Sequence, residues 1–320
     1  MLKIRNIYAY IKQNKCILMY LVILSFIIYA FLEVIFNLNN TLHLLITILL
    51  GIFVIIGFFV AYKKEDNIKL ADIKLIEWDS LGVIAGVLST YFLVEYLNIP
   101  VIIASAFVGI IGHAFFREFE AAIYMGSFAG MISPFLFNYF DVLILAFFAA
   151  FYFIFTKRIL KGYGGKLGTT AFLASISTSL ILQKSFNLFI VNNNFILLLI
   201  VAIFGVLSTY IVQHKLNQTA VIASAFTSFI FAGILFILEI NTAYAAIFFT
   251  ASFVGMANRK ILPNLFTAFI AALIQTVIFY LFAPVLNGAG GKMGMMAFVS
   301  VLITTSFIRI YQLTFKSNTT

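Results

Sequence analysis

One short stretch occurs twice in this chain, and it constrains the fold more than any other feature. Residues 164–172 read GGKLGTTAF and residues 290–298 read GGKMGMMAF, an offset of 126 (290 against 164). Gly164, Gly165, Lys166, Gly168, Ala171 and Phe172 return as Gly290, Gly291, Lys292, Gly294, Ala297 and Phe298. Two further blocks repeat in the same order. GVLSTYFLVEYLNIPVIIASAF (86–107) matches GVLSTYIVQHKLNQTAVIASAF (205–226), and SFAGM (127–131) matches SFVGM (252–256). Repeats this long are bundle halves and not the stacking units of a solenoid. The chain contains an internal duplication.

What the duplicated unit can become follows from its solvent. The chain is 63% hydrophobic and 10% charged, against about half and about a quarter in ordinary soluble domains. Water cannot solvate so apolar a bundle, so the expected solvent is lipid. The net charge of +9 sits in short clusters between apolar runs, a pattern of membrane orientation and not of nucleic-acid binding. Cys16 is the only cysteine, and His43, His113 and His214 lie far apart, which leaves no disulfide framework and no metal-ligand spacing.

The apolar runs predict two leading helices near 16–36 and 42–62. Five follow in the first copy, near 81–97, 99–115, 120–138, 141–156 and 168–183, and five in the second, near 196–213, 218–238, 242–257, 263–283 and 294–311. The expected architecture is an all-α integral membrane protein of about 12 transmembrane helices. Residues 1–80 hold a basic N-terminus, two helices and a polar linker; residues 81–190 and 191–320 are the two five-helix repeats. Threading from a cytoplasmic N-terminus puts all 20 basic residues except Lys184 and Lys292 on the cytoplasmic side, as the positive-inside rule requires. Both termini are then cytoplasmic, in the cell membrane. An odd number of spans per copy turns the second upside down, giving a 5+5 inverted repeat. Lys166 is then expected at the cytoplasmic face and Lys292 at the outer face.

Inverted repeats commonly hold their substrate where the halves meet. Ser89 and Thr90 with Gly86, and Ser208 and Thr209 with Gly205, form matching small-residue faces. Such faces also serve close helix packing, the stronger reading for the glycines. Ser105 and Ser224 are symmetric hydroxyls that are able either to line a polar path or to bond their own helix backbone. Glu120 and Glu239 correspond at an offset of 119 (239 against 120) and are the best acidic candidates, although both sit at segment ends where interface anchoring suffices. The nonamer carries the most specific chemistry. Gly164–Gly165 and Gly290–Gly291 allow backbone N–H groups to converge ahead of a helix. Lys166 and Lys292 have the wrong sign for a helix N-terminus unless an anion sits there.

No GxxxxGK[ST], HExxH or GxSxG motif occurs, so neither a cofactor nor an enzyme activity is expected. Families with five-plus-five repeats exist, but the chain carries no signature motif of any, so architecture is the sole likeness. The expected function is a multi-pass transporter or channel moving a small polar or anionic solute between the repeats. The alternatives are a non-transporting membrane scaffold and a membrane-embedded enzyme acting on lipid. Its expected partners are the bilayer and the solute, with the leading helices free to mediate homo-oligomer contacts or to regulate access.

Overall fold

The computed structural model describes residues 2–38, 40–64, 78–186, 188 and 194–315. Lys69 and Lys74 of the linker and Lys316 of the tail lie outside the described residues. Within them every regular element is helical: α1 (Leu2–Asn37), α2 (Thr41–Lys64), α3 (Trp78–Glu95), α4 (Val101–Phe115), α5 (Glu120–Ala129), α6 (Tyr139–Thr156), α7 (Lys166–Ile181), α8 (Phe195–His214), α9 (Ala220–Ile237), α10 (Thr242–Gly255), α11 (Leu265–Phe282) and α12 (Lys292–Phe315). A single 3-10 turn, Arg117–Phe119, precedes α5.

All twelve segments read from the sequence are present, but they differ in length from the expected spans. Seven described helices or helix portions are long and apolar enough to cross a membrane: Leu18–Asn37, Thr41–Lys63, α6, α8, α9, α11 and Lys292–Thr314 of α12. The segment expected over 120–138 is helical only to Ala129, after which Ser133–Gly288 pairing takes over the backbone.

The local signals of the two copies are the same. Asn138 caps α6 in a reciprocal box with Asp141, and Asn264 caps α11 in the same box with Thr267, satisfying N–H groups a helix start leaves open. Asn98 and Asn217 both turn the chain at φ 52° after α3 and α8, a left-handed conformation asparagine tolerates.

Packing is duplicated as well. Helix α3 contacts α4, α5 and α6 as α8 contacts α9, α10 and α11, and α7 packs on α5 and α6 as α12 packs on α10 and α11. The α3–α5 crossing depends on small residues: a Cβ at Gly86 would meet the Ile123 carbonyl oxygen at 2.1 Å, and one at Gly126 the Val83 oxygen at 2.1 Å. At the α8–α10 crossing a Cβ at Gly255 would lie 2.7 Å from the Val206 oxygen. Here the small-residue faces are packing devices.

Between the copies, equivalent helices pair with each other: α4 with α9, and α7 with α12. Both pairs are antiparallel. Along α4, Phe107 meets Phe229, Gly109 faces Ala225 and His113 meets Thr219, so numbers rise on one helix as they fall on the other. The leading hairpin α1–α2 docks on α12, with Ser306 Oγ donating to the Phe53 carbonyl at 2.6 Å.

Candidate functional site

The site grows from the two nonamers. Gly165 and Gly291 hold φ of +80° and +78°, a region open to glycine at little cost, and each turns the chain into the first residue of a helix. Those two helix starts touch. A Cβ at Gly168 would lie 2.4 Å from Gly294 Cα, and one at Gly294 would lie 2.4 Å from Gly168 Cα. Gly165 faces Phe298 and Ala297, while Gly291 faces Phe172 and Ala171. The two loops, expected to face opposite sides of the membrane, lead into helix starts whose backbones meet in the buried interior of the bundle. Four small residues per nonamer make room for that approach.

Lys166 and Lys292 are buried, at 9% and 8% exposure. Their wrong sign for a helix start is resolved by the preceding helix. Lys166 Nζ donates to the carbonyl of Lys157, the C-cap of α6, at 3.1 Å. Lys292 Nζ donates to the carbonyl of Ala283, the C-cap of α11, at 3.0 Å. A cation belongs at the negative end of a helix dipole, and each lysine reaches back to one. Lys292 also donates to Asn287 Oδ1 at 3.3 Å.

The environment of the two lysines differs. Lys292 lines a cavity of about 570 Å³, together with Gly291, Met293 and Gly294 of the same helix start. Asn241, Thr242 and Asn287 add polar groups to its wall, and Val101, Met131 and Phe279 add apolar ones. The first N–H groups of a helix lack partners within it, and the first turn of α12, which lines this space, carries the partial positive charge of a helix start. On the α6 side, Lys157 pairs with Asp79 at 2.7 Å. Burial, and then the charges of Arg158 and Lys161, push the Lys157 ammonium below its ordinary pKa.

Phe128 and Phe253 also line the cavity. They are equivalent residues of α5 and α10, 4.7 Å apart by ring centroids, and Tyr124 and Phe249 complete a buried aromatic cluster. Tyr124 joins it to a chain of hydroxyls. Its Oη lies 3.0 Å from Ser224 Oγ, which lies 2.8 Å from Ser252 Oγ, with Ser228 donating to Ser252 at 3.0 Å. In the first copy Ser105 and Ser127 are 2.9 Å apart. Ser105 and Ser224 thus do not line an open path; both are fully buried and bonded to other helices.

The remaining candidates scatter. Thr90 is buried and its hydroxyl has no partner among the described residues. Ser89 borders a separate, mostly apolar cleft, Ser208 bonds back to Gly205, and Thr209 pairs with Thr227 at 3.0 Å. Glu120 opens α5 beside His113 Nδ1 at 2.5 Å and accepts from Thr219 at 3.0 Å. Glu239 is exposed in the turn after α9. The Glu120–Glu239 correspondence has no counterpart in space, because the offset changes to 125 (252 against 127) before α10.

Several site residues escaped the sequence reading. Ser127 and Ser252 lie inside the repeated SFAGM and SFVGM blocks, which was the available signal. Gly162 and Gly288, at φ +83° and +91°, accept from the amides of Asn258 and Ser133 at 2.9 Å. Gln275, one helical turn before the cavity-lining Phe279, is fully buried with neither amide atom partnered among the described residues. Nothing in the sequence distinguished it from its neighbours. No protein-family model, curated protein or solved structure matches the chain.

Proposed function

We propose that the chain is a multi-pass membrane transporter for a small organic anion, which binds where the starts of α7 and α12 cross. The observation that carries this reading is the cavity at the first turn of α12. There a buried lysine and helix N–H groups face a space of about 570 Å³, within the range of small-molecule sites. Broken helices whose N-termini point at an anionic group are a recurring device of transporters built from inverted repeats. The antiparallel pairing of α4 with α9 and of α7 with α12 supports an inverted, and not parallel, relation of the two copies. The apolar helices and the bias of basic residues support a twelve-span arrangement in the cell membrane with both termini cytoplasmic.

In this reading the cavity opens to the outer side, because the α9–α10 and α11–α12 connections lie there. The carboxylate or other anionic group of the solute meets the α12 start and the third N–H of the Lys292 ammonium. Its apolar part rests on Met131, Phe279 and Phe253. The aromatic cluster of Tyr124, Phe128, Phe249 and Phe253 is the closed gate, and Lys166 is the equivalent cation on the inner side. Uptake of a panel of radiolabelled small carboxylates and inorganic anions into proteoliposomes tests this. The reading expects flux of at least one anion and its loss in Lys292→Met; no flux of any anion overturns it.

One observation favours a second reading. The aromatic cluster is buried, with Tyr124, Phe128, Phe249 and Phe253 at 2% exposure or less, as a non-transporting membrane scaffold would require. Flux that is absent in every condition, with the protein stably folded, selects the scaffold.

A further inference from the structure

The walls of the Lys292 cavity have equivalents in the other copy, and there the helices are fastened. Val101 opens α4 and Ala246 lies in the second turn of α10, both lining the cavity. Their equivalents are Ala220, the first residue of α9 (220 against 101), and Ala121 of α5 (246 against 121). Beside these, Glu120 Oε2 at the start of α5 lies 2.5 Å from Nδ1 of His113 in the last turn of α4. The same oxygen accepts from Thr219, the N-cap of α9, at 3.0 Å. One carboxylate thus joins two helices of the first copy to one of the second. The equivalents of Glu120, His113 and Thr219 are Ala245 (245 against 120), Ala232 (232 against 113) and Pro100 (219 against 100). None of those has a side-chain donor or acceptor, so the fastening is written at one end only.

The contact is built for charge. His113 sits at the negative end of α4 and Glu120 at the positive end of α5, where a cation and an anion belong. Their side chains are only 20% and 17% exposed, so water and salt screen the pair in part. An ionised carboxylate only accepts, so His113 Nδ1 carries a proton here and Nε2 is the atom that gains or loses one. Histidine is the side chain whose charge changes between about pH 5 and 8, and a bond between two ionised partners is the stronger form. Elements packed against α4 bring other charged groups among the described residues. They are Arg117 and Glu118 ahead of α5, Asp79 of α3 with its partner Lys157, His214 and Lys215 ahead of α9, and Arg259 and Lys260 after α10. The fastening also stands on the way to the cavity. Tyr124 and the cavity-lining Phe128 follow Glu120 at four-residue steps along one face of α5, and Gly109, one turn before His113, faces the Tyr124 ring.

We infer that His113, Glu120 and Thr219 form a proton-operated clasp, which holds the cytoplasmic end of the route shut while His113 is charged. Loss of the Nε2 proton weakens the tie to Glu120, and α4 and α5 can then part from α9. Lower cytoplasmic pH therefore closes this end and higher pH loosens it. The inference rests on the transport reading for the route that the clasp closes, while the clasp itself is measurable without flux.

The test reads accessibility in the full chain. Ala220→Cys, at the equivalent of Val101, and Lys215→Cys, at an exposed position, are each made in a Cys16→Ser background. Inside-out membrane vesicles meet a membrane-impermeant maleimide at about pH 5.5 and about pH 8, across the histidine range. Dividing the rate at position 220 by that at 215 removes the thiol's own pH dependence. The ratio is expected to rise about fivefold between the two, as a doubly ionised bond gives way to a weaker one. His113→Gln and Glu120→Gln, each of which keeps a hydrogen-bonding group, are expected to give the high ratio at both pH values. Either one decides if the other fails to fold. His214→Gln and Glu118→Gln, outside the clasp, leave the rise intact. A ratio that ignores pH overturns the clasp, whatever uptake shows, as does a rise that survives His113→Gln or Glu120→Gln in a folded protein. A rise that needs both residues, with no uptake of any anion, supports the clasp and removes the transport reading alone.

Discussion

Gly168 and Gly294 touch backbone to backbone where α7 and α12 cross, each so close that the other leaves no room for a Cβ. Equivalent residues of the two copies thus meet here, as Phe128 and Phe253 do nearby, and the candidate site is arranged about the crossing. The crossing gives both lysines their burial, and it exposes the first turn of α12 to the cavity.

The contact predicts opposite signs for two glycine-to-alanine changes. Gly168→Ala overpacks the crossing and is expected to destabilise the chain by about 1–3 kcal/mol. Gly233, inside α9, has nothing within 4 Å of its added Cβ. Gly233→Ala is expected to stabilise by about 0.5–1 kcal/mol through the helix backbone alone. Thermal unfolding of both variants in the same detergent checks the pair.

The two capping boxes differ in one respect, which yields a comparison. Asp141 closes its box and also pairs with Lys184, whose Nζ donates to the Leu136 carbonyl at 2.8 Å. Thr267 closes the equivalent box and has no such partner among the described residues. Thr267→Ala is expected to cost about 0.5–2 kcal/mol, the usual worth of a cap. Asp141→Ala is expected to cost more, because it leaves the partly buried Lys184 without its carboxylate. Denaturant melts of the two variants decide whether the ion pair adds to the cap.

Much of the architecture was legible from the residues. Apart from the start of α1, at Leu2 and not near 16, and the end of α5, apolar runs gave the positions of the helices to within about four residues, because long apolar segments and their polar turns are written in composition. The duplication was legible because GGK, SF-GM and GVLSTY recur in order. The crossing of α7 and α12 was not. A repeat says that Gly168 and Gly294 are equivalent, and equivalence carries no information on distance. Ser105 and Ser224 were legible as symmetric hydroxyls, but whether such a group faces water or another helix depends on Ser127, Tyr124 and Ser252, which arrive from other parts of the chain. The early end of α5 was hidden because ISPFLF remains apolar after the helix stops: Ile132 and Phe137 are buried in the core, while Phe135 between them is 99% exposed.

Gln275 separates a binding role from a structural defect. Burying an amide without partners costs about 1–3 kcal/mol, so Gln275→Leu, of similar size, is expected to raise the thermal stability of the empty protein. If the amide reaches the bound solute, the same change lowers the apparent affinity measured in proteoliposome uptake. Higher stability with unchanged affinity would remove Gln275 from the site.

Tyr124 and Phe249 occupy equivalent places, and only Tyr124 carries a hydroxyl to Ser224. Tyr124→Phe is expected to cost about 0.6–1.7 kcal/mol, the range measured for such bonds between membrane helices, while leaving the aromatic contacts intact. Reversible unfolding in detergent, compared with Ser224→Ala and the double change, checks this; additive losses would show that the two groups do not act as a pair.

The central claim is that the two copies enter the membrane from opposite sides and meet at the GGK crossings. Lys161 and Asn287 test it most directly, since they are equivalent residues (287 against 161, the nonamer offset) just ahead of Lys166 and Lys292. Single cysteines placed at these positions in a Cys16→Ser background, in intact cells, are exposed to a membrane-impermeant maleimide before and after permeabilisation. Asn287→Cys is expected to be labelled in intact cells and Lys161→Cys only after permeabilisation. Labelling of both positions from the same side would contradict it.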